Sequence, residues 1–410
     1  MSQSKKIFPP EGFLFAGISA GIKKNQKRDL GLIYSLKPAS AVGVFTRNQI
    51  LASPVIISRE RLKNSRSRAR AILVNSGNAN CGLGEQGIKD AREISRRLEK
   101  ELGLKAEQIL LASTGVIGEP LPVKKICQAI PGLKNSLRED GFNDFAQAIL
   151  TTDTRKKIAF RQIQIQNSRI RILGIAKGAG MIQPDLATML GFILTDAGVS
   201  SRDLKRLLKE KVNNSFNRIT VDGDTSTNDT VFALANGASG LKLKPPEKGW
   251  KEFARAFGEV CRELAEMIVQ DGEGASRWFY VLVKGAGSKR DAEKIARKIA
   301  NSPLVKTAIY ARDPNWGRIL ASAGGAGVKF DLKEIQLYLE ADSGKAKLIV
   351  FEDGAVAKNY LSVGEKKAQK LLSQSGFKIV LDLNQGEESF EILTCDLTEK
   401  YVKINAEYRS

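Results

Sequence analysis

The chain has 410 residues, 42% of them apolar and 27% charged, with a formal net charge of +20 and no histidine. That composition describes an ordinary globular protein with room for one large domain or two to three smaller ones, and it excludes disordered, fibrous and membrane-spanning classes. No apolar run reaches the ~18 to 20 residues of a membrane span, and the N-terminal Met-Ser-Gln-Ser-Lys-Lys-Ile-Phe-Pro-Pro has no signal-peptide core behind its lysines, so a cytoplasmic protein is expected.

The charge is unevenly spread. Thirty-one basic and 15 acidic residues precede Thr188, against 34 and 30 from it onward. The densest run, Arg59–Arg70, has no aromatic residue for base stacking. It reads as a solvated helix or loop leading into the strand Ala71–Val74, and a basic field of this kind also attracts small anions. Nucleic-acid binding is therefore not expected. The cysteines, Cys81, Cys127, Cys261 and Cys395, are too far apart for a paired-thiol motif and have no histidine to join them. They read as reduced and partly buried, and no metal site is expected.

In chain order, Gly84–Leu102 carries leucine and isoleucine at helical spacing, and Gln108–Ala112 reads as a strand before the turn Ser113–Gly118. Lys157–Gln166 and Arg169–Ala176 face each other across Asn167-Ser168 as a hairpin. Further strands are expected at Met189–Thr195, Thr230–Leu234, Trp278–Val283, Thr307–Ala311, Ile335–Leu339 and Lys378–Leu383, with helices at Ser201–Phe216 and Lys251–Val269. Val281–Tyr310 reads as one strand–helix–strand crossover. Neighbouring strands joined by short turns predict an α+β layered fold. Glycine-rich turns at Asn75–Gly82, Ser113–Gly118, Asp271–Gly274 and Gly324–Gly327 are tight connections of the kind that often carry function.

The segment Lys177-Gly-Ala-Gly-Met-Ile-Gln-Pro-Asp-Leu-Ala-Thr-Met-Leu190 runs from a loop into an apolar strand, with a threonine at the junction. A hydroxyl needs a base to become a nucleophile, and this chain has no imidazole. If the Ala187–Thr188 bond breaks by attack of the threonine hydroxyl on the preceding carbonyl, the new α-amine, with a pKa near ~8, supplies that base. Taken locally, the same pair also reads as a plain strand start. Asp222–Asp229 concentrates acids and hydroxyls, open to reading as a cation loop or as a capped turn. Asp313–Arg318 reads as a turn on which Trp316 packs.

The Lys177–Leu190 segment resembles the cleavage motif of the ornithine acetyltransferase family, glutamate N-acetyltransferases of arginine biosynthesis. The likeness continues through Val74–Asn80, Ser113–Pro122, Thr151–Thr154, Asp271–Ala275, Ala311–Arg318 and Thr394–Ser410. It implies a self-cleaving fold of the N-terminal-nucleophile type with a smaller C-terminal α/β portion. Cleavage between Ala187 and Thr188 divides such a chain into an α segment (1–187) and a β segment (188–410) that co-fold into one catalytic unit. Thr188 becomes the nucleophile, Thr114 and Gly115 form the oxyanion hole, and Thr151, Lys177, Thr188, Glu273, Asn405 and Ser410 bind substrate. The family commonly has histidine and asparagine where this chain has Gln183 and Asp185. The resemblance implies acetyl transfer from N-acetylornithine to glutamate without a cofactor, acetyl-CoA being a further candidate co-substrate, in an assembly of two α and two β segments. The alternative is an amidohydrolase or aminopeptidase of a related self-cleaving fold.

Overall fold

A computed structural model describes residues 7–183, 189–341, 344 and 346–407. It resolves into two units, Met1–Asn217 with Asp224–Ile268, and Arg218–Gly223 with Val269–Ser410. Ala187, Thr188 and Ser410, together with Asp185, lie outside the described residues.

The first unit contains the strands β1 (Phe13–Ile18), β2 (Leu30–Phe45), β3 (Arg68–Asn78), β4 (Ile109–Val116), β5 (Lys157–Ile165), β6 (Ser168–Lys177), β7 (Leu190–Thr195), β8 (Gly198–Val199), β9 (Thr230–Ala235) and β10 (Lys242–Leu243). Its helices are α1 (Ser53–Asn64), α2 (Gly84–Leu102), α3 (Val123–Asn135), α4 (Phe142–Ala148), α5 (Ser201–Asn213) and α6 (Trp250–Gln270). Eight strands form one sheet in the order β4-β3-β2-β9-β7-β6-β5, with β1 added to β2, while β8 and β10 pair separately. The β3–β4 and β7–β9 pairs are parallel and the remaining pairs of the large sheet antiparallel.

Alternation along the strands sends side chains to opposite faces, and here both faces are covered. Ile33, Ile72, Val74 and Leu110 join Phe142, Phe145 and Phe192 in one core. Leu32, Leu73, Ile109 and Leu111 join Ile94 and Leu98 of α2 and Ile126, Ile130 and Leu133 of α3 in another. At β6, Gly174 lets α6 come close, because a Cβ there would lie 2.4 Å from Val260 Cγ1.

The second unit contains β11 (Trp278–Ala286), α7 (Lys289–Ala300), α8 (Pro303–Ala311), α9 (Trp316–Gly324), β12 (Gln336–Glu340), β13 (Lys347–Glu352), β14 (Ala355–Val356), α10 (Lys358–Leu372), β15 (Lys378–Asp382), β16 (Glu388–Cys395) and α11 (Glu399–Ala406). Its six-stranded sheet runs β14-β13-β12-β15-β11-β16. Phe279 and Phe377 stack at 5.3 Å inside its core. Residues 218–223 belong to this unit because Thr220 N bonds Leu393 O at 2.9 Å and the buried Lys306 ammonium holds Val221 O at 2.6 Å.

The α+β layering and most of the expected elements stand. Gly84–Leu102 has the expected bounds, and Gly103 ends it in the left-handed conformation at φ +63°. The β5–β6 hairpin forms one residue earlier than expected, pairing Ile165 with Ser168 around Gln166, which lies at φ +52°. The helix expected over Ser201–Phe216 stops at Asn213.

Two expectations fail. Thr307–Ala311 is the end of a helix, not a strand. The Ser302 side chain accepts from Val305 N as N-cap, and Pro303 occupies the first turn. Val305, Ala308 and Ile309 then face inward at helical spacing. The crossover read over Val281–Tyr310 therefore does not exist. The parallel partner of β11 is β15, reached only after α7 to α10 and β12 to β14.

The reading of Arg59–Arg70 as solvated holds for the exposed Arg59, Lys63, Arg66 and Arg68 and fails at one residue. Arg61 is buried, donating to Ser95 Oγ at 2.7 Å and Ile109 O at 2.8 Å, with Glu99 at 3.4 Å. Arg59 lies over the Phe45 ring and donates to Thr46 O, while Arg70 lies over Tyr34. All four cysteines are free, as expected.

Replacing Ser302 by Ala removes one N-cap and is expected to destabilise the protein by about 1 kcal/mol, while Ser302→Thr stays within a few tenths. Urea denaturation followed by tryptophan fluorescence measures both, and an Ala variant as stable as the parent counts against the capped helix.

Candidate active site

The parallel pair β3–β4 sets the site. Its register runs Asn75↔Ser113, Ser76↔Thr114 and Gly77↔Gly115 before the ladder becomes irregular at Asn78. Gly115 has φ +133°, and a Cβ on it would lie 2.3 Å from Gly77 C and 2.4 Å from Asn78 N. No other residue fits where two main chains approach so closely. The turn is anchored from three directions. Ser113 Oγ donates to Asn75 Oδ1, Asn75 Nδ2 donates to Asn78 O at 2.8 Å, and Asn228 Nδ2 donates to Ser113 O at 2.8 Å and Ala79 O at 2.6 Å.

Lys177, at the end of β6, reaches this turn. Its residue is 8% exposed, and its ammonium donates to Thr151 Oγ1 at 2.7 Å and Thr114 Oγ1 at 3.1 Å. Asp153 lies 3.8 Å away. The Asp153 side chain has no exposed surface; it takes Lys157 Nζ at 2.7 Å and Gly178 N at 2.6 Å on Oδ1, and Thr151 N at 3.0 Å on Oδ2. Burial alone would raise its pKa. The Lys177 and Lys157 ammoniums and the bonds from Lys157 and Gly178 instead hold it well below the usual carboxylate range.

Lys23 completes the group. Its side chain passes beside Gly77, and its Nζ donates to Leu150 O at 2.7 Å and Arg28 O at 2.8 Å. Burial, opposed by Asp29 and reinforced by Lys177, lowers its pKa from 10.5 to about 8.

In the second unit, Glu273 is buried and its Oε2 accepts from Asn405 Nδ2 of α11 at 2.8 Å. The loop carrying Glu273 is tied down where Thr398 Oγ1 donates to Gly274 O at 2.7 Å.

The expected site residues therefore form two clusters. Thr114, Gly115, Thr151 and Lys177 meet in the first unit, and Glu273 and Asn405 meet in the second. Asp153, Lys157, Lys23 and Asn228 had no expected role in the site. Asp153 stands inside the Thr151–Thr154 run and four residues before Lys157, a spacing open to notice. Nothing local joins Lys23 to Leu150. The Asp222–Asp229 run, open to a cation reading, instead supplies Asn228 as a brace between the ends of β3 and β4; among the described residues no group of three or more acidic or thiol ligands faces a common point. Asn315 caps α9 by accepting from Arg318 N, and Trp316 packs on Phe351 at 5.9 Å, as a turn at Asp313–Arg318 requires. Among the described residues no helix is long and apolar enough to cross a membrane.

Chemically, the first cluster places an ammonium and two hydroxyls beside a turn that only glycine can make. That is the equipment of a site that receives a small anionic molecule and meets negative charge developing on oxygen. The chain belongs to the ArgJ family, whose model matches residues 14–410. It is 47% identical over 405 residues to the arginine biosynthesis bifunctional protein ArgJ of Thermotoga neapolitana, covering 98% of this chain and 100% of that one. It is 42% identical to the glutamate N-acetyltransferase of Methanocaldococcus jannaschii, covering 98% of each. The crystal structure of the ArgJ protein of Bacillus halodurans is 37% identical, covers 53% of this chain and 99% of that one, and superposes with a TM-score of 0.49.

Between pH 8 and 10.5 the folded protein binds fewer protons at Lys23 than the unfolded chain does, so this group adds stability as pH rises through that window. A Lys23→Met variant is expected to lose that rise. Urea titrations at pH 7.5 and 9.5 compare the two, and parallel changes in both proteins would contradict the lowered pKa.

Proposed function

We propose that this chain moves an acetyl group from N-acetylornithine to glutamate, acting in the cytoplasm through Thr188 as an acyl carrier. The observation that carries this reading is the Lys177 ammonium held between the Thr114 and Thr151 hydroxyls at the Gly115 turn, in a chain of the ArgJ family.

The proposed sequence has two stages. In the first, the Thr188 hydroxyl attacks the Ala187 carbonyl and the C–N bond breaks, which frees the threonine amine and leaves an ester; water then cleaves that ester, releasing the Ala187 carboxylate and restoring the hydroxyl. In the second, that amine takes the hydroxyl proton as the oxygen adds to the acetyl carbonyl of N-acetylornithine. The hydroxyl of Thr114 and the main chain at Gly115 receive the oxyanion. The C–N bond breaks, the α-nitrogen of ornithine leaves with the proton, and the acetyl group stays on Thr188 Oγ1. Glutamate's amine then attacks this ester and carries the acetyl group away, regenerating the hydroxyl. Lys177 attracts the α-carboxylate that both substrates carry. Acetyl-CoA fits the same scheme as a second donor, because only the leaving group changes. No metal or organic cofactor enters any step.

The cleaved protein is expected to run as two segments, the second beginning Thr-Met-Leu-Gly, in an assembly of two of each with about twice the 44.8 kDa chain mass. Thr188→Ala is expected to leave one uncut chain without transferase activity. Intact mass, N-terminal sequencing and light scattering test these points together, and a fully active uncut chain refutes the scheme.

Thr114→Val keeps the shape but removes the donor, so kcat is expected to fall about 10²- to 10³-fold, with Thr114→Ser close to the parent. Initial rates with N-acetylornithine or acetyl-CoA, each with varied glutamate, should give parallel double-reciprocal lines. Acetate released equally with and without glutamate would mark a hydrolase instead.

A further inference from the structure

We propose that Asp153 is a positioning residue of this site: its buried carboxylate fixes together the Thr151 main chain, the Lys177 ammonium and the residue that follows β6. The inference rests on the acetyl-transfer reading and adds to it a group outside the substrate-contacting set.

The two carboxylate oxygens divide the work. Oδ1 is tied to the scaffold by Lys157 Nζ at 2.7 Å, from a lysine that is itself fully buried at the start of β5, and by Gly178 N at 2.6 Å. Oδ2 faces the candidate substrate groups, taking Thr151 N at 3.0 Å and standing 3.8 Å from Lys177 Nζ. Lys177 is thus closer to the Thr151 and Thr114 hydroxyls, at 2.7 and 3.1 Å, than to the carboxylate. At that separation Asp153 stabilises the charged form of Lys177 without being its nearest acceptor.

A buried carboxylate without cations takes up a proton and loses this function. Here the flanking ammoniums keep it ionised. The converse also holds. Lys157 and Lys177 share Asp153 as an intervening anion, and Lys23, backed by Asp29, adds a third positive group whose field reaches Lys177. Neutralising Asp153 leaves these ammoniums repelling one another with no anion between them, so Lys177 is no longer held in place. Main-chain anchoring of Thr151 weakens at the same time, because an amide replaces the charged acceptor.

The test is steady-state kinetics of acetyl transfer from N-acetylornithine to glutamate, from pH 7 to 9.5, with the full chain. Lys23 and the Thr188 amine both titrate within this range, so each variant is read against the parent at the same pH. For Asp153→Asn, KM for N-acetylornithine should be raised about tenfold over the parent at pH 7, as loss of a charge-assisted contact implies, with kcat less affected. Asp153→Glu restores the charge with displaced oxygens, so its KM should be raised only severalfold over the parent. If Asp153→Asn does not fold, the Glu variant carries the test alone, and a Glu variant with parental KM overturns the proposal. An Asn variant with parental KM, or with KM and kcat altered by the same factor at every pH, overturns it too. A parent without transferase activity overturns the acetyl-transfer reading and this inference with it. An active parent matched by its Asn variant overturns only the inference.

Discussion

Gly77 and Gly115 meet main chain to main chain at the ends of two parallel strands, and the geometry of the first-unit site follows from that contact. Parallel strands in register carry their C-terminal turns to the same level. There the absence of a Cβ on Gly115 leaves 2.3 Å where a side chain would need to fit. The turn cannot relax outward because Asn228 holds the Ser113 carbonyl and Asn75 holds the Asn78 carbonyl. Thr114 is therefore presented at a fixed place, and the Lys177 ammonium on β6 finds it at 3.1 Å. Preorganised donors of this kind need no reorganisation as charge develops.

The high positive charge divides into uses that composition alone does not separate. Arg61 is consumed inside the first unit by a serine hydroxyl, a carbonyl and a glutamate. Lys306 does similar work in the second, joining residues 218–223 to β16. Lys177 and Lys157 flank Asp153, and Lys23, bonded to Leu150 O and Arg28 O, feels its field. Buried ammoniums persist only where hydrogen bonds and counter-charges replace water, and each of these has such partners. In a chain without histidine, Lys23 is also a side chain whose protonation changes near neutral pH, with its pKa lowered to about 8.

How far the sequence revealed this depends on the distance between partners along the chain. The Gly84–Leu102 helix was legible to the residue because its buried stripe (Ala91, Ile94, Leu98) and its left-handed terminator Gly103 are local signals. Thr307–Ala311 misled because Thr307 and Ile309 mimic strand alternation, while the deciding signal, Ser302-Pro303, lies upstream. The importance of Thr114, Gly115, Lys177, Glu273 and Asn405 came from family likeness, since a lysine before a glycine loop looks like any surface charge. Asp153 was in plain view within Thr151–Thr154. What hid it is that its meaning depends on Gly178 and Lys177, 25 and 24 residues later. Lys23 and Leu150 lie 127 residues apart, and no periodicity links them.

The sheet also bears on what the proposed cleavage at Ala187–Thr188 would do to the chain. β6 precedes that bond and β7 follows it, and the two strands pair antiparallel from Lys177↔Leu190 to Ile172↔Thr195. β7 is joined on its other side to β9, which in turn pairs with the second half of β2. The strands of the two segments are therefore interleaved within one sheet. Pulling the segments apart would expose the edges of β6, β7, β2 and β9 and uncover Phe192 and Phe232, both fully buried. Unpaired edges and exposed aromatic surface both oppose separation. Breaking the one peptide bond would change the covalent chain without removing any of these contacts, so a cut protein would be held together by the same sheet.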